Sequence, residues 1–278
     1  MDSEHSQHWE ASSVSLPDTY FTAYDKLIFT RNIAERMVTN AKLTPGQRVL
    51  DVACGTGWAA MAAARVIGIN GKVIGVDVEK NWLVIAMEKA ASARLLNIEY
   101  THGNAEALDF DDNIFDVVLC ASSIFLFNNI LKALREWYRV LKSGGIVAFT
   151  SFGDRYLQPV IKPLGECLSR YDGQPPADPS FIIERTDSPE KCRELLRTTG
   201  FSEIDITTED MGYSYSNAPD YWQEITLTFV GIRMAHLSPA DFEKLKAEHF
   251  AEINLLYGDM PIPVEVPIHF SIAKKPLL

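Results

Sequence analysis

Cysteine is scarce in this chain of 278 residues: Cys54, Cys120, Cys167 and Cys192 lie far apart. That spacing excludes zinc-site, iron–sulfur and disulfide-framework readings, and a reducing cytoplasm is the expected location. Long apolar runs are missing too, because Asp51, Arg65 or Asp116 interrupts the most hydrophobic windows well short of the ~18 residues a membrane helix needs. The opening Met1-Asp2-Ser3-Glu4-His5 has neither a basic leader nor an apolar stretch, so no signal peptide and no stable membrane insertion are expected. Positive charge is in deficit: 26 Lys and Arg stand against 37 Asp and Glu, a net charge of −11, and the longest basic block is the pair Lys274-Lys275. Nucleic acid is therefore not an expected partner. Internal repeats and low-complexity tracts are also absent.

What is present is apolar residue, 47% of the chain, enough for one substantial core; an open α/β sheet of ~250 residues often stays one domain. From Gln47 to Phe152, short β-branched runs alternate with amphipathic helix-length runs, the pattern of βαβ units. Strands are expected at Arg48–Val52, Lys72–Asp77, Ile98–His102, Phe115–Ala121 and Ile146–Phe152, with helices at Trp58–Ile67, Asn81–Leu95 and Ile130–Leu141. Tyr20–Leu43 has helical spacing and is expected to cap the ligand edge of the sheet. Beyond a Pro- and Gly-rich stretch at Gly153–Asp187, Ser188–Thr199 reads as a helix, Glu203–Thr208 as a sixth strand and Val266–Ala273 as a last one. Asp210–Pro263 interrupts the last two strands with at least two helices. Their connection lacks βαβ form, so one of them is expected to run antiparallel at the sheet edge. The expectation is an α/β, Rossmann-like fold: a seven-stranded, mostly parallel sheet with helices on both faces, an N-terminal helical cap and an inserted helical lid. A single domain spans 1–278, comprising the cap (1–43), a cofactor core (44–153) and the remaining sheet with substrate-covering insertions (154–278).

The segment Val49-Leu50-Asp51-Val52-Ala53-Cys54-Gly55-Thr56-Gly57-Trp58 passes from strand to helix through two glycines, which lets the backbone turn tightly beside a ligand. Gly55-x-Gly57-x-x-Ala60, with Asp77 twenty positions after Gly57, also satisfies the dinucleotide fingerprint. Asp51 separates the two candidate cofactors. A carboxylate at the end of the first strand repels a pyrophosphate, whereas it can pair with the ammonium of S-adenosylmethionine (SAM). Asp77 closes the second strand, where its two oxygens suit the ribose hydroxyls of either ligand.

With these residues in view, the chain resembles the class I SAM-dependent methyltransferases, and within them the ubiquinone/menaquinone C-methyltransferase-like group. The resemblance covers about Thr44 to Phe152 and rests on VLDVACGTG (49–57), VIGVDVEKNWL (73–83), HGNAEALDFDDNIFDVVLC (102–120) and ALREWYRVLKSGGIVAFTSF (133–152). It implies that Asp51 and the backbone of Ala53, Gly55 and Gly57 hold the methionine end of SAM and that Asp77 holds the ribose. It also implies that Val78 and Trp82 flank the adenine, that Asn104 and the Ala105 amide bind its edge, and that Ala121 and Ser122 lie beside the cofactor. Asn104 departs from the usual Asp of that family's GDAE segment, keeping an acceptor oxygen without the charge.

The implied activity is methyl transfer from SAM, leaving S-adenosylhomocysteine, to a small, largely apolar molecule of natural-product, quinone or lipid metabolism, at oxygen, carbon or nitrogen. No metal is required. The competing readings are a SAM-binding cyclase or other non-methylating enzyme on the same fold, a partner subunit that keeps the fold without activity, and an NAD(P)-dependent oxidoreductase. Candidates for the acceptor side are Tyr20 and Tyr24, which share one face of the cap helix, and Ser123 and Phe125 after the fourth strand. Tyr221 and Trp222 of the insertion are two more. For the tyrosines and the tryptophan, ordinary core packing is an equal reading. No general base is assigned: His5, His8, His102, His236, His249 and His269 each read more readily as surface or core residues.

Overall fold

The computed structural model describes residues 18–173 and 183–277. His5 and His8 lie outside them. The cap is two helices, α1 (Asp18–Tyr24) and α2 (Ile28–Asn40), where the periodicity predicts one. The break falls at Asp25–Leu27, where the amides of Asp25, Lys26 and Leu27 bond back to Phe21, Ala23 and Tyr24 and close the first helix.

The core then runs β1 (Arg48–Val52), α3 (Trp58–Ile67), β2 (Lys72–Asp77), α4 (Lys80–Ser92), β3 (Ile98–His102), β4 (Phe115–Cys120), α5 (Ile130–Val140) and β5 (Leu141–Phe152). Val49, Leu50, Val73, Val117, Val118 and Leu119 are completely buried, as strands covered on both faces require. Helix α3 buries Ala59 through Ala64 because small side chains let it lie close on the sheet. Helix α5 buries Ile130, Ala133, Leu134, Trp137 and Val140, a single 3.6-period stripe.

The second half carries α6 (Ile161–Asp172), α7 (Pro189–Thr199), β6 (Ser202–Asp210), β7 (Tyr213–Tyr215), α8 (Ala218–Ile225), α9 (Phe229–Met234), α10 (Pro239–Tyr257), β8 (Ile262–Val264) and β9 (Pro267–Lys274). Helix α6 forms inside the stretch whose Pro and Gly content argues for a loop. Its buried face of Ile161, Leu164, Gly165, Cys167 and Leu168 outweighs the propensity cost of Pro163 and Gly165. Helices α7, α8 and α10 start as their sequences dictate: Ser188, Asn217 and Ser238 accept from the amides of Lys191, Asp220 and Asp241, and a proline follows in the first turn.

The seven-stranded sheet has the order β3-β2-β1-β4-β5-β9-β6. Strands β1 to β5 are parallel, and β9 is antiparallel to both of its neighbours. The antiparallel strand is thus one position in from the edge, and β6 is the edge. The reason is pairing: seven residues of β9 register with β5 and seven with β6, so β9 satisfies backbone groups on both sides. A small β7–β8 ribbon supports the lid helices. No helix among the described residues is long and apolar enough to cross a membrane.

Candidate active site

The chain order reverses between β1 and β4, and the crevice beyond their carboxyl ends is where ligands bind in open α/β sheets. Asp51 sits next to the carboxyl end of β1, paired in register with Gly75 of β2 and Leu119 of β4. It is completely buried, and neither carboxylate oxygen has a hydrogen-bond partner among the described residues. Burial pushes its pKa up to about 8; the nearby Ala60 amide opposes that shift and the Asp77 charge adds to it. A bare buried carboxyl of this kind costs a fold ~1–3 kcal/mol or more, so its retention points to a cationic or hydrogen-donating ligand.

Beyond β1 the loop is wound tightly. Ala53, Gly55 and Gly57 all have positive φ, and the Gly57 amide donates to the Cys54 carbonyl at 2.8 Å. Gly57 is doubly required: its φ is +82°, and a Cβ there would lie 2.4 Å from the Tyr100 hydroxyl. Tyr100, on β3, forms the floor of the loop, and no sequence motif marks it. Asp77, at the end of β2, ties the loop down, one oxygen accepting from the Gly55 amide at 2.8 Å and the other from Glu79 at 2.9 Å. Burial raises its pKa, and these amide bonds hold the rise back.

The remaining candidates from the motifs fall on the same edge. Val78 is exposed after β2, and Trp82 follows on α4, packed edge-on against Phe21 at 4.4 Å and tilted against Tyr24 at 5.1 Å. Asn104 and Ala105 follow β3. The Asn104 side-chain oxygen already accepts from the Glu106 amide at 2.8 Å, which shapes this turn. The Ala105 carbonyl is fixed from beneath by the Trp137 indole N–H at 3.1 Å. Ala121 and Ser122 follow β4; Ser122 has a positive φ, and its hydroxyl is buried without a partner among the described residues. Two non-glycine residues in this conformation, Ala53 and Ser122, flank the switch point, a local strain of ~1–3 kcal/mol each.

Acceptor-side candidates separate into two groups. Tyr20 and Tyr24 pack on each other and against Trp82, and Phe125 is buried just after β4. Tyr20 donates to the Leu227 carbonyl at 2.9 Å, joining cap to lid, and Phe125 packs against Phe152 at the end of β5. Ser123 turns back to the Ala121 carbonyl. Tyr221 and Trp222 are enclosed: Tyr221 lies against Tyr215 and His249, and Trp222 against Phe242, Phe250 and His249, so both build the lid's own core. Among the histidines, His249 is buried there with its pKa lowered by burial to about 4, and His269 is a strut between Thr208 and the Asp187 carbonyl. His102 and His236 are exposed.

Two residues without a sequence motif complete the edge. Arg185 donates to the carbonyls of Phe125 and Phe127, both at 2.7 Å, and holds the loop after β4. Glu224, on α8, accepts from Tyr213, whose hydroxyl lies 2.9 Å from that of Tyr215.

The model of the ubiE/COQ5 methyltransferase family matches residues 27–165, which is half of the chain. The demethylmenaquinone methyltransferase of Alkalihalophilus pseudofirmus is 32% identical over 195 residues, covering 64% of this chain and 80% of the relative. The ubiquinone/menaquinone biosynthesis C-methyltransferase UbiE of Escherichia coli is 35% identical over 154 residues, 55% of this chain, and the chain spans only 60% of that relative's length. In fold, the chain is similar to the YcgJ protein of Bacillus subtilis, with a TM-score of 0.60, 22% identity, and coverage of 88% of this chain and 98% of the other. With a family match over the whole cofactor half and a bare buried carboxylate at its switch point, this chain belongs to the ubiE/COQ5 methyltransferase family and is a SAM-dependent methyltransferase.

Proposed function

We propose that this enzyme methylates a small, flat, hydroxylated aromatic molecule, a quinol-type ring being the leading class, enclosed between cap and lid. The observation that carries this reading is an aromatic wall along the carboxyl edge of β4 and β5. Phe125 packs on Phe152 at 5.4 Å between ring centroids, Phe152 on Tyr156 at 4.1 Å, and Tyr156 lies near Tyr24 and Tyr215. The names of the two relatives, which speak of menaquinone and ubiquinone, agree with such an acceptor.

On this reading Asp51 pairs with the ammonium of SAM, and the backbone of Ala53, Gly55 and Gly57 lies along its methionine part. Asp77 keeps a lone pair on each oxygen for the ribose hydroxyls. Val78 and Trp82 flank the adenine; Asn104 and the Ala105 amide meet its edge, with Ala121 and Ser122 alongside. The unpaired buried oxygens of Asp51 and Ser122 support the assignment, since each lacks the partner that such a ligand supplies. Bound SAM supplies a methyl group already activated on sulfur, so the chain's own task is to hold the acceptor in line and keep water out. Tyr20 and Tyr24 contribute by closing the cap onto the lid.

The test is incubation of the purified protein with SAM and, in turn, a demethylated naphthoquinol, a simple catechol and an alkylamine, with products read by mass spectrometry. Methylated quinol or catechol with matching S-adenosylhomocysteine is expected. Methylation of the amine alone, or no S-adenosylhomocysteine from either hydroxyaromatic by protein that binds SAM, would overturn the acceptor class.

A further inference from the structure

The aromatic wall contains one carboxylate that no motif announces. Glu224 is half-buried on α8 and accepts from the Tyr213 hydroxyl; Tyr213 and Tyr215 are alternate residues of β7, so both side chains leave the ribbon on one face. Tyr156, from the turn after β5, lies close enough to feel charge on Tyr215, Glu224 and Tyr24. Three segments thus meet at one carboxylate: the β7 ribbon through Tyr213 and Tyr215, the β5–α6 turn through Tyr156, and the lid through Glu224 itself, while Tyr156 also reaches Tyr24 of the cap. The same Tyr24 touches Trp82, which follows the ribose-side carboxylate Asp77 on α4. The cluster therefore adjoins the cofactor edge instead of lying in a remote part of the lid core.

Resting on the acceptor class proposed above, we infer that Glu224 is the group that binds the acceptor's hydroxyl and accepts its proton, with Tyr213 and Tyr215 positioning the carboxylate. In this step the acceptor's O–H bond breaks, the electron pair stays on the acceptor oxygen and enriches the ring, and the proton passes to a Glu224 oxygen to give the carboxylic acid. The solvent-facing part of Glu224 returns the proton to water after product leaves. Burial raises the carboxyl pKa while the two tyrosine hydrogen bonds lower it, and a base poised upward in this way is better matched to a phenol. The tyrosines themselves stay protonated and cannot take this proton: burial raises the pKa of Tyr213, Tyr215 and Tyr156, and that of Tyr24 to about 12. From α10, His249 and Glu252 face α8 on its Tyr221 side, and burial lowers the pKa of His249 to about 4.

Two measurements on Glu224→Gln, which keeps the shape and an acceptor oxygen, test the assignment. Binding of 4-nitrophenol to the S-adenosylhomocysteine complex, followed by its absorbance, is expected to weaken roughly five- to tenfold, because a hydrogen bond to a carboxylate is replaced by one to a neutral amide. Turnover at pH 7 is expected to fall by ~10²–10³-fold, the deficit shrinking as more acidic phenols are supplied, with SAM affinity unchanged within about twofold. Nitrophenol binding equal in both proteins overturns the inference whether or not any acceptor is methylated. So does a turnover loss of the same size for weak and strong phenols. Nitrophenol binding that depends on Glu224, without turnover of any hydroxyaromatic, supports this hydroxyl site and counts instead against the acceptor class.

Discussion

Asp51 holds the least comfortable side chain at the cofactor edge, and that discomfort is measurable. With its pKa pushed up to about 8, the carboxyl is mostly protonated at pH 7, whereas in the unfolded chain it is ionised. Between roughly pH 4 and pH 8 the folded state therefore binds more protons than the unfolded one, and stability of the ligand-free protein falls as pH rises through that window. On the proposed reading, pairing with the ammonium of SAM lowers the carboxyl pKa again. SAM binding at pH 7 is thus expected to release about one proton, seen as a calorimetric enthalpy that varies with the ionisation enthalpy of the buffer. An enthalpy independent of buffer would count against the pairing. Asp51→Asn is expected to stabilise the ligand-free fold by on the order of 1–2 kcal/mol while weakening SAM at least tenfold. Gly57→Ala carries the opposite lesson: positive φ and the clash with Tyr100 are both steric, so melting temperature and SAM affinity should fall together. Asp51 and Gly57 are legible in the sequence because the chemistry of a strand–loop–helix turn narrows the residues it accepts. Tyr100 is not, since a tyrosine in a strand is ordinary until the loop is laid over it.

Among the elements, α5 links packing to the site. Its Trp137 is completely buried, packs edge-on against Phe127 and donates to the Ala105 carbonyl, so one side chain fixes the loops after β3 and β4 together. Trp137→Phe removes the donor and leaves that buried carbonyl unpaired. A loss of ~1–3 kcal/mol in denaturant unfolding is expected, with SAM affinity down several-fold. A variant with full SAM affinity would separate the loop from the helix that underlies it. The cap shows what periodicity cannot resolve. A continuous apolar spacing over Tyr20–Leu43 fits one helix, yet the chain breaks at Asp25 and turns, which lets Asp25 pair with Lys89 of α4 and Phe21 and Tyr24 with Trp82. Those partners are more than fifty residues away, so no local window contains the reason for the break. The same holds for α6, whose Pro and Gly are overridden by burial, and for Trp222, whose apolar surroundings are the lid's own.

At the scale of the whole molecule, the last strand decides the architecture. Strand β9 lies between β5 and β6, and the Lys275 ammonium just beyond it donates to the Tyr138 and Leu141 carbonyls at the carboxyl end of α5. Ending the chain after Val266 is expected to expose two unpaired strand edges and abolish cooperative unfolding by circular dichroism, even though every residue proposed above to hold the cofactor is retained. A truncated protein that still melts cooperatively and binds SAM would show that the parallel half folds alone. The sequence by itself determined the parallel core, the glycine turn, its two carboxylates and the cofactor, because each follows from local geometry and from the charge of the ligand's nearest atoms. Only the tertiary structure decided the inward place of the antiparallel strand, the enclosure of Tyr221 and Trp222 in the lid's own core, and the meeting of Glu224 with Tyr213, Tyr215 and Tyr156. Those outcomes depend on contacts between segments far apart in the chain, and side-chain spacing within one segment carries no record of them.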